Sequence, residues 1–147
     1  LSIMIDKNTW IEKTIFATLN TKDPEKWGKY QMQFTTSVSS PNRKLKIVEF
    51  GAYLLVEGKW VFKSIYDRPF NSDEFEKWYK APNAVLEKGK IYSDSDNWLG
   101  KSNKLDGRII NSLWYFKGTD ATGKEVLGLS EVVGKLEMRD THNEQNN

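Results

Sequence analysis

Polar and apolar residues alternate most strictly in YQMQFTTSVS, residues 30–39. Tyr30, Met32, Phe34, Thr36 and Val38 fall on one face; Gln31, Gln33, Thr35, Ser37 and Ser39 fall on the other. A period of two with a polar reverse face specifies a strand packed on one side and wet on the other. Antiparallel sheets accommodate that arrangement and parallel sheets rarely do. TWIEKTIFATL before it reads as a second strand. NTKDPEKWGK between the two, with its Asn, Asp, Pro and Gly, reads as a loop.

The strongest hairpin pattern is RKLKIVEFGAYLLVEGKWVFKSIYDRPF. Two apolar runs flank Glu57-Gly58, and glycine supplies the positive φ of a two-residue turn. With that loop, Leu55 faces Trp60, Tyr53 faces Phe62, Gly51 faces Ser64 and Glu49 faces Tyr66. One face then gathers Tyr53, Trp60, Phe62 and Tyr66. The other gathers Val48, Phe50, Ala52, Leu54 and Val56 beside Lys59, Lys63 and Asp67. The first strand is apolar on both faces, which predicts a central position.

One short helix is expected near residues 72–80. Asn71 caps it, Glu74 completes a capping box, and Phe70 and Phe75 stand at hydrophobic-staple spacing. Phe75, Trp78 and Tyr79 form the apolar stripe, and Ala81-Pro82 stops the helix. AVLEKGKIY follows, and GKSNKLDG reads as a connection. RIINSLWYFKG and KEVLGLSEVVGKLEM are two more strands joined by the turn GTDATG. The expected fold is all-β and mostly antiparallel, a β-sandwich in preference to a closed barrel. It forms a single domain over residues 1–139, with a polar tail at 140–147.

Composition narrows the function classes. The 147 residues suit one domain, and 29% charged with 38% hydrophobic residues is a globular balance. A net charge of +2, with the charges interspersed, provides no footprint for nucleic acid or an anionic membrane. No apolar run approaches the roughly 20 residues of a membrane-spanning helix. LSIMIDKNTW lacks the basic region and cleavage-like end of an intact signal peptide. The absence of cysteine excludes disulfides, thiol catalysis and Cys-based zinc sites. The single histidine, His142, falls in the tail RDTHNEQNN, whereas a Ser-His-Asp or multi-His site needs one inside the fold. GKSNKLDG contains Gly-Lys-Ser but has Asp96, not Gly, five residues before Lys101, so it is not a phosphate loop. No cofactor is expected.

Three candidate sites remain. IYSDSDNWLG, residues 91–100, brings acids to alternate positions, as a calcium loop does. Aligned from Asp94, however, Trp98, Leu99 and Leu105 stand where an oxygen ligand, Gly and Glu belong, leaving only an irregular set of Asp94, Asp96 and Asp106. An Asx-rich turn explains the cluster more simply. The second candidate is Trp98 beside Asp96 and Asn97, where a ring can stack a sugar while the polar neighbours bond its hydroxyls. The third is Glu49 on the aromatic hairpin face, with Tyr66 and Arg68 near it, as an anchor or catalytic carboxylate. The aromatic load (13%) and the want of a catalytic constellation favour a non-catalytic binding or accessory module in a periplasmic, cell-surface or secreted setting. Carbohydrate or another protein is its expected partner. The alternatives are a small barrel holding an apolar ligand among Tyr53, Trp60, Phe62 and Tyr66, a carboxylate enzyme, and a structural domain.

Overall fold

The computed structural model describes residues 2–4 and 14–138. Trp10, His142 and the 140–147 tail lie outside them. In chain order the elements are β1 (Ser2–Met4), β2 (Thr14–Leu19), α1 (Pro24–Trp27), β3 (Tyr30–Ser39), β4 (Leu45–Val56), β5 (Lys59–Lys63), β6 (Phe70–Asn71), α2 (Ser72–Tyr79), a 3₁₀ turn (Pro82–Ala84), β7 (Val85–Leu86), β8 (Ile91–Ser102), β9 (Ile109–Thr119) and β10 (Glu125–Met138).

The fold is all-β with one short helix against the sheet. A continuous sheet runs β8-β3-β2-β10-β9-β4-β5, with β1 on β3 and the short β6 and β7 on β4. Pairing is antiparallel except β1 with β3 and β2 with β10. The end strands β8 and β5 do not pair, so the sheet is open. It is folded over instead of closed: Phe34 of β3 meets Trp114 of β9 edge to face at 5.4 Å. At Gly134 of β10 the two limbs touch, and a Cβ there would lie 2.7 Å from both Leu99 Cδ1 and Met32 Sδ.

Helix α2 spans the open side and contacts both β4 and β8. Its capping box is formed as the sequence predicts: Glu74 N donates to Asn71 Oδ1 at 3.1 Å and Asn71 N donates to Glu74 Oε1 at 2.9 Å. Phe75 and Tyr79 are the buried face. They pack on Phe50, whose ring also stacks on Phe116 and touches Phe70 and Trp78.

The β4–β5 hairpin has the predicted register, with Leu55 opposite Trp60 and Tyr53 opposite Phe62. Glu57 and Gly58 both have positive φ, 51° and 78°, as a tight turn matched to strand twist requires. The pairing stops at Ala52 and Lys63, so Gly51 does not face Ser64 and Glu49 does not face Tyr66. Glu49 instead pairs with Asn71 of β6 and Lys117 of β9. Val48 does not continue the alternation with Phe50, because a bulge leaves Ile47 opposite Gly118 and Glu49 opposite Lys117. Ile47 and Phe50 are thereby both buried. The expected NTKDPEKWGK loop contains α1, started by Pro24 and by Asp23 Oδ1 accepting from Lys26 N at 3.3 Å.

Candidate functional site

The expected Asx-rich turn at IYSDSDNWLG is a strand. Residues 91–102 form β8, paired along β3 at the edge of the sheet. Asp and Asn are poor strand formers, and the ladder absorbs them through two irregularities. Asp94 lies opposite Thr36 and Asn97 opposite Phe34; Trp98 lies opposite Gln33 and Lys101 opposite Gln31. Both times β8 advances three residues while β3 advances two. Thr36 and Phe34 are buried inward residues, so Asp94 and Asn97 join the inward row. Trp98, opposite the exposed Gln33, lies on the other row and is 36% exposed.

Between this edge, α2 and the inner faces of β4 and β9 lies a cavity of about 630 Å³. That volume is in the range that holds a small organic ligand, about 300–1,000 Å³. Ala52, Leu54, Phe70, Leu99 and Trp114 supply its apolar lining. Its polar residues divide by element. Lys63 and Ser64 come from β5 and its end, Lys77 and Lys80 from α2 and its end, Asp94, Asp96 and Asn97 from β8, and Ser112 from β9. None of the three lysines or two aspartates joins an ion pair formed among the described residues. Trp78, Trp98 and Trp114 all border the cavity, half of the chain's six tryptophans.

The β8 side carries an unusual polar cluster. Asp94 Oδ1 accepts from Asp96 N at 3.0 Å, and Asn97 Nδ2 donates to the Asp94 carbonyl at 3.1 Å. Burial raises the Asp94 carboxyl above its ordinary range; the Asp96 amide opposes this and the Asp96 charge adds to it. Tyr79, 2% exposed, brings its hydroxyl beside Asn97 and Thr36 and within the field of Asp94. Burial pushes that phenol far up, and the Asp94 charge pushes it further. Trp114 Nε1, in the cavity wall, makes no hydrogen bond among the described residues. Unpaired buried polar groups are costly, so an orphan indole N–H at the cavity wall is a departure from ordinary packing.

Of the residues singled out in the sequence, Trp98, Asp96 and Asn97 therefore come together at the cavity. Glu49, Tyr66 and Arg68 do not. Glu49 lies on the opposite face of the sheet, accepting from the Tyr115 hydroxyl at 2.8 Å. Tyr115 covers Gly51, where a Cβ would be 3.1 Å from its ring. Burial, then Glu49, push the Tyr115 phenol up. Arg68 forms a two-pronged pair with Glu74 at 2.7 and 3.2 Å and lies over the exposed Tyr66 ring. Tyr53, Trp60, Phe62 and Tyr66 are not among the residues lining this cavity; Tyr53 and Phe62 pack on each other and Trp60 is exposed. Asp106 stands apart from Asp94 and Asp96 and accepts from Arg108 N, and among the described residues no three acidic or histidine side chains converge as metal ligands.

Sequence reasoning missed Leu54, Trp78 and Trp114 as lining residues. The available signal for Trp114 was the two-residue spacing of Ser112, Trp114 and Phe116, which marks the inner row of β9. In comparisons with known proteins, no family model matches the sequence, and no curated protein or solved structure matches it.

Proposed function

We propose that the chain is a non-catalytic binding module that takes a small, largely apolar ligand into the cavity between α2 and the folded sheet. The observation that carries this reading is the unfilled space of about 630 Å³ against Leu54, Phe70, Leu99 and Trp114. Small-ligand sites have this make-up, a predominantly apolar wall with a small number of placed polar groups. The glycan reading draws on a different observation, the exposed Trp98 beside Asp96 at the rim. It is the second choice, because the surface behind that rim is mainly apolar, with Ala52, Leu54, Phe70, Leu99 and Trp114 in it.

The test is a pair of titrations followed by tryptophan fluorescence and amide chemical shifts: medium-chain and phenyl-bearing small molecules in one, soluble oligosaccharides in the other. Saturable changes at Leu54, Trp78 and Trp114 with the first panel support the proposal. The melting temperature should rise with them, since a ligand at one hundred times its Kd stabilises the native state by about 2.7 kcal/mol. Ala52→Leu, which extends a side chain into the cavity, should weaken binding. Changes confined to Trp98 with oligosaccharides would establish the glycan reading instead, and silence in both panels refutes both.

A further inference from the structure

We propose that the ligand carries a protonated nitrogen, seated at Asp94, on an apolar body that lies against Leu54, Phe70 and Trp114. This rests on the binding reading above and specifies the chemistry of its ligand.

The argument starts from where the charges sit. Lys63, Lys77 and Lys80 are exposed, at the ends of long mobile stems, and water screens them. Asp94 is the shielded one: it belongs to the inward row of β8, is only partly exposed, and has no cationic partner among the described residues. A charge interacts more strongly where solvent is excluded, so the lone half-buried carboxylate outweighs more numerous solvated lysines for a ligand inside the cavity. Desolvation already penalises the Asp94 anion, and Asp96 worsens it. An ammonium group beside it relieves that cost, whereas a carboxylate ligand would add to it.

Two further features fit the same head group. The buried Tyr79 hydroxyl lies beside Asn97 and Thr36 within the field of Asp94, so the aspartate belongs to a polar corner and not to a hydrocarbon wall. The lysines belong to other elements, β5 and α2. A ligand cation is repelled from those walls and attracted to β8, which orients it, while the apolar body takes the remaining lining. Asp96 is exposed and bonded to the Gln33 amide at 3.3 Å, so it reinforces the field without being the seat.

Calorimetric titration with matched probes tests this: octylamine, octanol and octanoate, and phenethylamine, 2-phenylethanol and 3-phenylpropionate. Within each trio the body is nearly constant and the head changes. The amines should bind at least about tenfold more tightly than the alcohols, and the carboxylates most weakly. Asp94→Asn should abolish the amine preference while leaving alcohol binding in place; Asp96→Asn should reduce it less. Equal affinities within a trio overturn the charge assignment and leave the binding reading standing. Tightest binding by the carboxylates overturns it in favour of the lysine walls. Absence of binding by all six, in the unsubstituted protein, overturns the binding reading together with this inference. Because the head-group comparison is made on the unsubstituted chain, it does not depend on either variant folding.

Discussion

Phe50→Ala should be among the most damaging single changes in the chain. Phe50 is 1% exposed and holds together three elements. Its ring stacks on Phe116 of β9 with centroids 5.3 Å apart, lies 5.1 Å from Phe70 of β6, and meets Phe75, Trp78 and Tyr79 of α2 at 5.6, 5.8 and 5.8 Å. Deleting a buried phenylalanine ring costs about 3–5 kcal/mol, the upper part applying where neighbours cannot collapse into the space. Five rings drawn from three elements are such neighbours. A domain's whole stability is roughly 5–15 kcal/mol, so the variant should be marginal. Phe50→Leu keeps most of the hydrocarbon but forfeits the ring pairs, and should cost about 1–2 kcal/mol. Urea unfolding by fluorescence and circular dichroism measures both, with Val61→Ala at an exposed site as the reference, expected within about 0.5 kcal/mol of the parent. A Phe50→Ala cost below about 1 kcal/mol at unchanged m-value would refute the claim that this cluster ties α2 to the sheet.

The other predictions use the same measurements. Gly134→Ala places a methyl where Leu99 and Met32 already lie 2.7 Å from the Cβ position, so it should cost about 1–3 kcal/mol; Leu99 also lines the cavity, so ligand affinity should change too, and a neutral outcome on both counts would mean that the limbs are not in contact. Asn71→Ala removes the cap of α2 and should cost about 1 kcal/mol, with faster amide exchange in residues 72–76 and little change in β10. Burial raises the Glu74 carboxyl, but the Arg68 hydrogen bond, the Asn71 amide and the Arg68 charge outweigh it and hold it below the ordinary value. Its contribution is therefore present at neutral pH and lost as pH falls through its lowered value, and Glu74→Gln should flatten that part of the acid limb. Asp120 is drawn down to about 2, chiefly by the Thr122 hydroxyl, against desolvation and with help from Lys124 N, Arg43 and Thr122 N. Its stabilisation should be complete above its ordinary value of 3.8 and fade towards pH 2, a slope that Asp120→Asn should remove from acid titrations of stability.

The fold was legible where one local rule decided the outcome. Strict alternation placed β3, the Glu57-Gly58 turn set the β4–β5 register, and the Asn71/Glu74 pair placed α2. The cavity was legible in part, because Asp96, Asn97 and Trp98 were identified by chemistry and not by position. Its other walls come from strands far apart in sequence, brought together only by the folding of the sheet. Glu49 was misplaced for the opposite reason: a one-residue bulge and the early end of the hairpin are set by partners β6 and β9, which local pattern does not contain. The turn expected at 91–100 failed because tertiary pairing with β3 overrode the loop preference of Asp and Asn.

The two irregularities in β8 enclose a window running from Asn97 to Leu99 that is out of phase with the strand on either side. Before it, Tyr92 and Asp94 face in; within it, Asn97 and Leu99 do. Where the spare residue is stored, as much as residue identity, therefore decides what this edge offers to the interior. Were the ladder regular from Asp94 onward with the chain unchanged, Asn97 would lie opposite Gln33 and Trp98 opposite Met32, turning the indole towards the cavity and Asn97 and Leu99 to the outside. Moving that one irregularity along β8 would thus exchange an amide and a leucine for an indole without altering a side chain.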